Sequence, residues 1–269
     1  MDFSRIAIIG GGNIGCALAE GIVMSGILEP SSLIVTRKRL HLIDYLKSQG
    51  VQTSLDNVEA VKDADLVILA IKPKNLVQVV DNIKDVLTED KVIVSMIAGV
   101  SIADLQKYFS ESHKIFRAMP NTAISICESI TCLSISEKFE REEQMLSEFF
   151  GKLGIVVPIT EDLMESATVL GSTGIAFALR YMRAATQGGI EIGFSAEIAH
   201  LITAQTVKGA AALLLSKHQH PESEIDKVTT PQGITISGLN EMEHKGFSSA
   251  VIKGITTSYI KVMHIKNPK

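Results

Sequence analysis

The stretch Ile6-Ala7-Ile8-Ile9-Gly10-Gly11-Gly12-Asn13-Ile14-Gly15 sets a short apolar run directly before three glycines. The run Ile6–Ile9 is continuous rather than alternating, which predicts a strand buried on both faces. After it the period changes. From Asn13 to Ser25 the apolar residues Ile14, Leu18, Ile22 and Val23 recur at helical spacing, so a helix follows the glycines. The loop between them spells G-x-G-x-x-G through Gly10, Gly12 and Gly15. A glycine cluster alone is a weak signal. Here it lies between a strand and a helix, the setting in which the pattern cradles a dinucleotide pyrophosphate. Gly10 permits the tight turn, Gly12 clears the approach of the phosphates, and Gly15 lets helix and strand pack closely. The helix start adds free N–H groups and a partial positive charge.

Working outward, Leu33–Val35, Leu66–Ile71 and Val92–Ile97 read as further continuous strands. A basic, helix-prone stretch, Arg37 to Gln49, is closed by Gly50. Ile130–Ile135 and Ile155–Ile159 read as later strands around a helix over Glu137–Phe150. Strand and helix patterns alternate, which argues for a parallel sheet covered on both faces. After Pro158 the strand pattern ends. Helical segments follow over Met164–Val169, Ile175–Ile192, Ala196–Lys217 and Ser248–Met263. The expected fold is α/β: a Rossmann-type dinucleotide-binding domain, 1–160, followed by an all-helical domain, 161–269. The helical half carries more apolar positions than a lone bundle of ~110 residues buries, which suggests dimerisation through it.

Composition narrows the class. The chain has 269 residues, 26 Lys and Arg against 30 Asp and Glu, and a net charge of −4. Hydrophobic residues make up 46% and charged residues 21%, an ordinary globular balance that excludes a disordered or collagen-like chain. A mildly acidic chain has no electrostatic reason to hold nucleic acid. No apolar run nears the ~20 residues that cross a bilayer. The start, Met1 to Arg5, lacks the pattern of a secretory signal. The expectation is a soluble, cytoplasmic protein. Cys16, Cys127 and Cys132 are too few and scattered for a disulfide framework or a zinc site. His218-Gln219-His220 places two imidazoles at i, i+2, which do not share a helix face, so no metal site is expected.

The end of the second strand bears on the cofactor. An acid about 20 residues past the glycines would take the ribose 2′-hydroxyl of NAD. Here the residues are Thr36-Arg37-Lys38-Arg39, and no acid appears before Asp44. Thr36 and Arg37 fall where a 2′-phosphate would lie, and guanidinium suits phosphate geometry. NADPH is the expected cofactor, with NADH possible.

Further motifs share an order. Asp56-Asn57 precedes a short helix. Ala70-Ile71-Lys72-Pro73, Ala98-Gly99-Val100 and Arg117-Ala118-Met119-Pro120-Asn121-Thr122 follow. In the helical half come Gly171-Ser172-Thr173-Gly174-Ile175-Ala176-Phe177, then Gln205-Thr206 with Gly209-Ala210-Ala211. Val228-Thr229-Thr230-Pro231-Gln232-Gly233-Ile234-Thr235-Ile236-Ser237-Gly238-Leu239 is the most specific piece. Together with the glycine loop these resemble the pyrroline-5-carboxylate reductases, enzymes of the last step of proline synthesis. The resemblance runs over roughly residues 5 to 260.

That resemblance implies NAD(P)H-dependent reduction of a cyclic imine, 1-pyrroline-5-carboxylate, to L-proline by a homo-oligomer whose helical domains intertwine. It implies that Gly10, Gly12, Asn13, Ile14, Gly15, Thr36, Arg37, Asn57, Ala70, Lys72, Pro73 and Asn121 serve the cofactor. Thr230 and Gly233 would hold the substrate carboxylate, Gln232 between them would belong to the same substrate-binding loop, and Thr235 would be the catalytic residue beside the ring nitrogen. The chemistry suits these groups. A protonated imine accepts hydride without a strong general base, so positioning is what the protein must supply. The same segment also reads as a helix start capped by Thr229 or Thr230 with Pro231 in the first turn, and such an end is itself an anion site.

The chain departs from the family pattern in places. Gln232 stands for a glycine, Ile175 for a proline, Phe177 for a tyrosine and Ala123 for a proline. Arg183 and Gln187 stand where acids are common. Two other readings remain open at this level. One is a related two-domain NADP reductase acting on another imine or a hydroxy acid, with Lys208 the candidate catalytic lysine. The other is a non-catalytic nucleotide-binding regulator derived from the reductase.

Overall fold

The computed structural model describes residues 3–217 and 219–266; Met1, Asp2, His218 and residues 267–269 lie outside the described residues. The chain forms two compact units. One runs to Thr173 and takes in the chain again from Ser258; the other is Gly174–Thr257.

The first unit is built on an eight-stranded sheet in the order β3-β2-β1-β4-β5-β6-β7-β8. Its strands are β1 (Ile6–Ile9), β2 (Leu33–Thr36), β3 (Gln52–Ser54), β4 (Leu66–Leu69), β5 (Val92–Ser95), β6 (Lys114–Met119), β7 (Ser129–Ser134) and β8 (Gly154–Ile159). Helices connect them: α1 (Asn13–Ser25), α2 (Asp44–Ser48), α3 (Asn57–Lys62), α4 (Leu76–Ile83), α5 (Ile102–Gln106), α6 (Glu140–Gly151) and α7 (Met164–Ala167). The order reverses between β1 and β4, which run parallel with Ile9 beside Leu69. Ligands in such sheets bind at that reversal, outside the carboxyl ends of the strands. Every pairing is parallel except β6 with β7, where Ala118 lies opposite Leu133. The connection between these two strands is too short for the crossover a parallel pair needs, so the chain turns back on itself.

The apolar strands are buried because both faces are covered. Ile6 and Ile8 pack with Leu18, Ile22, Phe149 and Phe150 on one face. Ala7 and Ile9 pack with Val80, Ile83 and Leu105 on the other. A fully buried Ile contributes roughly 1.5–3 kcal/mol, so β1 is fixed by its burial rather than by propensity.

Two strands escape the apolar pattern. β3 is the polar edge strand Gln52–Ser54, and β6 carries Arg117 in its interior. The basic stretch after β2 is not one helix. It breaks into a 3₁₀ turn at Leu40–Leu42 and the short α2, and Gly50 follows at φ +87°.

Past α7 the chain forms a π-helical turn, Thr168–Thr173. The second unit holds α8 (Gly174–Glu191), α9 (Ala196–Lys217), α10 (Pro221–Lys227) and α11 (Ile234–His244); α12 (Phe247–Lys266) begins there. α8 packs on α9 with Gly189 against Ala199, where an added Cβ on Gly189 would stand 3.0 Å from the Ala199 Cβ. α9 corrects one expectation. Lys208 interrupts its apolar run in sequence, yet over an 18-residue stretch of this 22-residue helix the mean hydropathy is 1.4, so by length and composition it is long and apolar enough to cross a membrane. Few of its residues are buried within this chain; Ala199 is the buried one.

Candidate active site

At the β1–β4 reversal a crevice of about 630 Å³ opens in the first unit. Its walls include Gly10, Gly11, Gly12, Thr36, Arg37, Asn57, Ala70 and Lys72. The glycine loop is stitched to the end of β2, because the N–H groups of Gly10 and Gly11 donate to the Thr36 carbonyl at 3.2 and 2.7 Å. The geometry gives each glycine a different reason. At Gly15 an added Cβ would stand 2.1 Å from the Gly10 carbonyl oxygen, so the helix could not approach the loop. At Gly12 it would meet no protein atom within 4 Å, so this face is open to a ligand.

α1 starts with Gly12 as its cap, without a side-chain capping bond and without an acid in its first turn. Its first N–H groups are therefore left for an outside acceptor. Glycine-lined space, uncapped N–H groups and basic side chains on one wall fit a dinucleotide phosphate. Asn13 is exposed and Ile14 half-buried in that first turn, and Gly15 lies beneath the loop.

Arg37 is half-buried, and its Nη1 donates to the Gly11 carbonyl at 2.6 Å. Part of the guanidinium thus holds the loop, and its other N–H groups remain available for a phosphate. Thr36 is almost wholly buried, at 2% exposure, so it offers the crevice little more than an edge. Sequence reasoning did not assign Lys38, Arg39, Asn75 or Gln78 to this wall. Lys38 and Arg39 were legible as part of the basic cluster. Gln78 had no such signal: α4 brings it over, and its Oε1 accepts from Lys38 Nζ at 3.0 Å. Behind the loop, Cys16 donates to the Gly11 carbonyl at 3.3 Å. Burial pushes its thiol up, outweighing the lowering influence of Tyr45 and Arg37. It stays a neutral donor, not a nucleophile.

Asn57 opens α3, whose cap is Asp56: its carboxylate accepts from the N–H groups of Val58 and Glu59 at 2.8 and 3.2 Å. Lys72 precedes the 3₁₀ turn Pro73–Asn75, with Pro73 as its first residue. Pro73 and Asn121 are not on the crevice wall. Asn121 sits after β6, and its side chain is committed twice. Oδ1 accepts from the Ala123 N–H at 3.0 Å, and Nδ2 donates to the Gly171 carbonyl at 3.2 Å.

In the second unit Thr230-Pro231-Gln232-Gly233 is a turn closed by the Gly233 N–H on the Thr230 carbonyl at 2.9 Å. Gln232 takes φ +57°, the left-handed region where glycine is at ease. The helix start expected at Pro231 is displaced: Gly233 is the cap and α11 begins at Ile234. The Gly233 N–H and the Thr229 hydroxyl are spent, the latter on the Ile225 carbonyl at 2.8 Å. The hydroxyls of Thr230 and Thr235 make no hydrogen bond among the described residues. Thr235 lies in the first turn of α11, which carries no acid. This end therefore pairs two free hydroxyls with uncapped N–H groups, a set suited to a small carboxylate.

Comparison with known proteins gives one answer across the chain. The family model described as pyrroline-5-carboxylate reductase dimerisation matches residues 161–264. That described as NADP oxidoreductase, coenzyme F420-dependent, matches residues 5–99. Pyrroline-5-carboxylate reductase 2 of Dictyostelium discoideum is 43% identical over 270 residues, covering 94% of this chain and 90% of that protein. Pyrroline-5-carboxylate reductase 1 of the same organism is 43% identical over 276 residues, covering 98% of this chain; the chain spans only 50% of that longer protein. Among solved structures, a Plasmodium falciparum pyrroline carboxylate reductase with NADP bound shares the fold at a TM-score of 0.89, with 24% identity and 98% of each chain covered.

Proposed function

The chain belongs to the pyrroline-5-carboxylate reductase family, and from that premise we propose that it reduces the cyclic imine 1-pyrroline-5-carboxylate to L-proline with NADPH, NADH serving less well. The supporting observation is the 43% identity to a reductase of that name, sustained over 94% of this chain.

When bound, the reduced nicotinamide supplies the hydride. The chain's own residues bind and orient. The glycine loop and the N–H groups of α1 hold the pyrophosphate. Arg37, with Lys38 and Arg39 beside it, draws the 2′-phosphate to the end of β2. Asn57, Ala70 and Lys72 line the same crevice. Gly233 ends the turn that lets Thr230 and the first N–H groups of α11 receive the substrate carboxylate. The Gln232 amide lies at the edge of that site. The Thr235 hydroxyl accepts from the protonated ring nitrogen and favours the more electrophilic iminium form. Pro73 fixes the wall beside Lys72, and Asn121 fixes the turn after β6.

Self-association completes the protein. Leu179, Leu201, Leu215 and Ile252 are all more than half exposed in a single chain. Together with the scarcely buried α9, they give the second unit an apolar surface that a second copy covers. A covered α9 is a core helix rather than a membrane span, consistent with a cytoplasmic location. The division into a dinucleotide-binding domain, 1–160, and a helical dimerisation and substrate domain, 161–269, follows the same reading.

The test is a spectrophotometric assay of NADPH oxidation with racemic 1-pyrroline-5-carboxylate, run beside rescue of a proline auxotroph. Turnover and rescue are expected. Tight NADPH binding with no turnover of any cyclic imine would leave a nucleotide-binding regulator instead.

A further inference from the structure

Arg117 is the largest side chain in the core and is wholly buried, at 0% exposure, inside a strand. Its Nη1 lies 3.2 Å from Glu165 Oε1 and 3.5 Å from Glu161 Oε1. Glu165 is itself 1% exposed. The Arg117 Nε and Nη2 are buried without a hydrogen-bond partner among the described residues. A buried guanidinium that fills only part of its fork is poorly compensated for its lost hydration, so net stability is a weak reason to keep it.

Its place in the fold supplies another reason. Glu161 Oε1 also accepts the Ile102 N–H at 2.6 Å, and Ile102 starts the helix just after Ala98-Gly99-Val100. Four positions beyond Arg117 on the chain, Asn121 donates to the Gly171 carbonyl within the π turn that continues from α7. One cation thus ties together β6, the loop after β5 and the segment 161–173. Of the two loops it fastens, the one after β6 carries Asn121, which the family resemblance assigns to the cofactor, and the one after β5 carries Ala98-Gly99-Val100, a motif of the same resemblance.

We propose that Arg117, acting with Glu165 and Glu161, is a positioning residue for hydride transfer, locking the loops after β5 and β6 into one register against the segment 161–173. This rests on the reductase reading above. The guanidinium touches neither cofactor nor substrate on this account. It fixes where Asn121 and Gly99 stand, and a displacement of about 1 Å in such a frame costs about a hundredfold in rate.

The experiment uses the full chain with NADPH bound. The double variant Arg117→Met with Glu165→Met removes both buried charges, while Glu161, about a third exposed at 32%, keeps the hydrogen bond from the Ile102 N–H. The variant Arg117→Lys keeps the charge and loses the fork, and serves if the double variant does not fold. Amide hydrogen exchange is followed in residues 98–102, 120–124 and 168–173, with β1 and β2 as internal references. The expected result is exchange faster by about tenfold in those three segments and unchanged in the references. NADPH affinity should stay within about twofold, because the glycine loop is untouched. With the imine, kcat should fall by about a hundredfold in the double variant while KM moves by no more than about threefold. Arg117→Lys should show the same pattern at about a tenth of that loss. Exchange like the parent's in all three segments overturns the proposal, as does an undiminished kcat where the parent turns over. A parent without imine turnover refutes the reductase reading alone, and the exchange arm still decides the role of Arg117.

Discussion

Replacing Gly12 by Ala and Gly15 by Ala separates binding from folding in the glycine loop. The two positions are three residues apart and differ in what a methyl group meets. At Gly12 the backbone has φ −81° and ψ −169°, open to any residue, and no protein atom lies within 4 Å of the new Cβ. The cap position favours Gly over Ala by up to about 1 kcal/mol. Stiffening the unfolded chain returns about 0.4–1 kcal/mol, so the net change is near zero and Tm should move by no more than about 3 °C. The methyl group occupies the space the pyrophosphate needs. Kd for NADPH should rise by about 10–100-fold, a loss of about 1.4–2.8 kcal/mol. At Gly15 the new Cβ falls 2.1 Å from the Gly10 carbonyl oxygen. Helix and loop must part, at a cost of roughly 1–3 kcal/mol or more, and Tm should fall by about 3–10 °C along with affinity. Circular dichroism melts and titration of NADPH fluorescence measure both quantities. Gly12→Ala binding NADPH as tightly as the parent refutes the assignment of this loop to the pyrophosphate.

Three further outcomes follow from the geometry. Thr235→Ala should lower kcat by about 10–100-fold, the worth of a hydrogen bond to a charged group, and leave NADPH affinity unchanged; full activity in steady-state kinetics removes the role given to its hydroxyl. Gln232→Gly relieves a left-handed φ of +57° and should stabilise the protein by roughly 0.5–1 kcal/mol, read as a higher Tm. At α5, Ser101 and Asp104 form a reciprocal cap, and the Lys107 hydrogen bond, then that of Ser101, pull the Asp104 carboxyl down to about 2. A depressed folded value means that this stabilisation is present above the unfolded value of 3.8 and is lost as pH falls through about 2, so Asp104→Asn should flatten the acid limb of a Tm-against-pH curve.

Much of this was legible in the sequence, and the reasons differ by residue. Ile6–Ile9, Leu66–Leu69 and Val92–Ser95 announce themselves because strands covered on both faces need apolar residues at every position. The glycine loop is readable because backbone contact with phosphate admits almost no other residue. β3 was hidden because an edge strand needs no apolar run, and β6 because the interior Arg117 breaks its pattern. The cofactor crevice was read as far as chain-local spacing allows, to Gly10, Gly12, Thr36 and Arg37. Gln78 reaches it only through the packing of α4, which no local pattern encodes. The short helices α10 and α11 lack a sustained periodic stripe, and the turn at Gln232 mimics a proline-started helix until its geometry is seen.

The most direct test of the central claim follows an isotope. NADPH carrying deuterium at the transferable position of the nicotinamide is incubated with the protein and 1-pyrroline-5-carboxylate, and the product is examined by mass spectrometry and NMR. The account predicts L-proline with one deuterium at its δ-carbon, delivered without exchange with solvent. Proline free of deuterium, or cofactor oxidised with no proline formed, contradicts it.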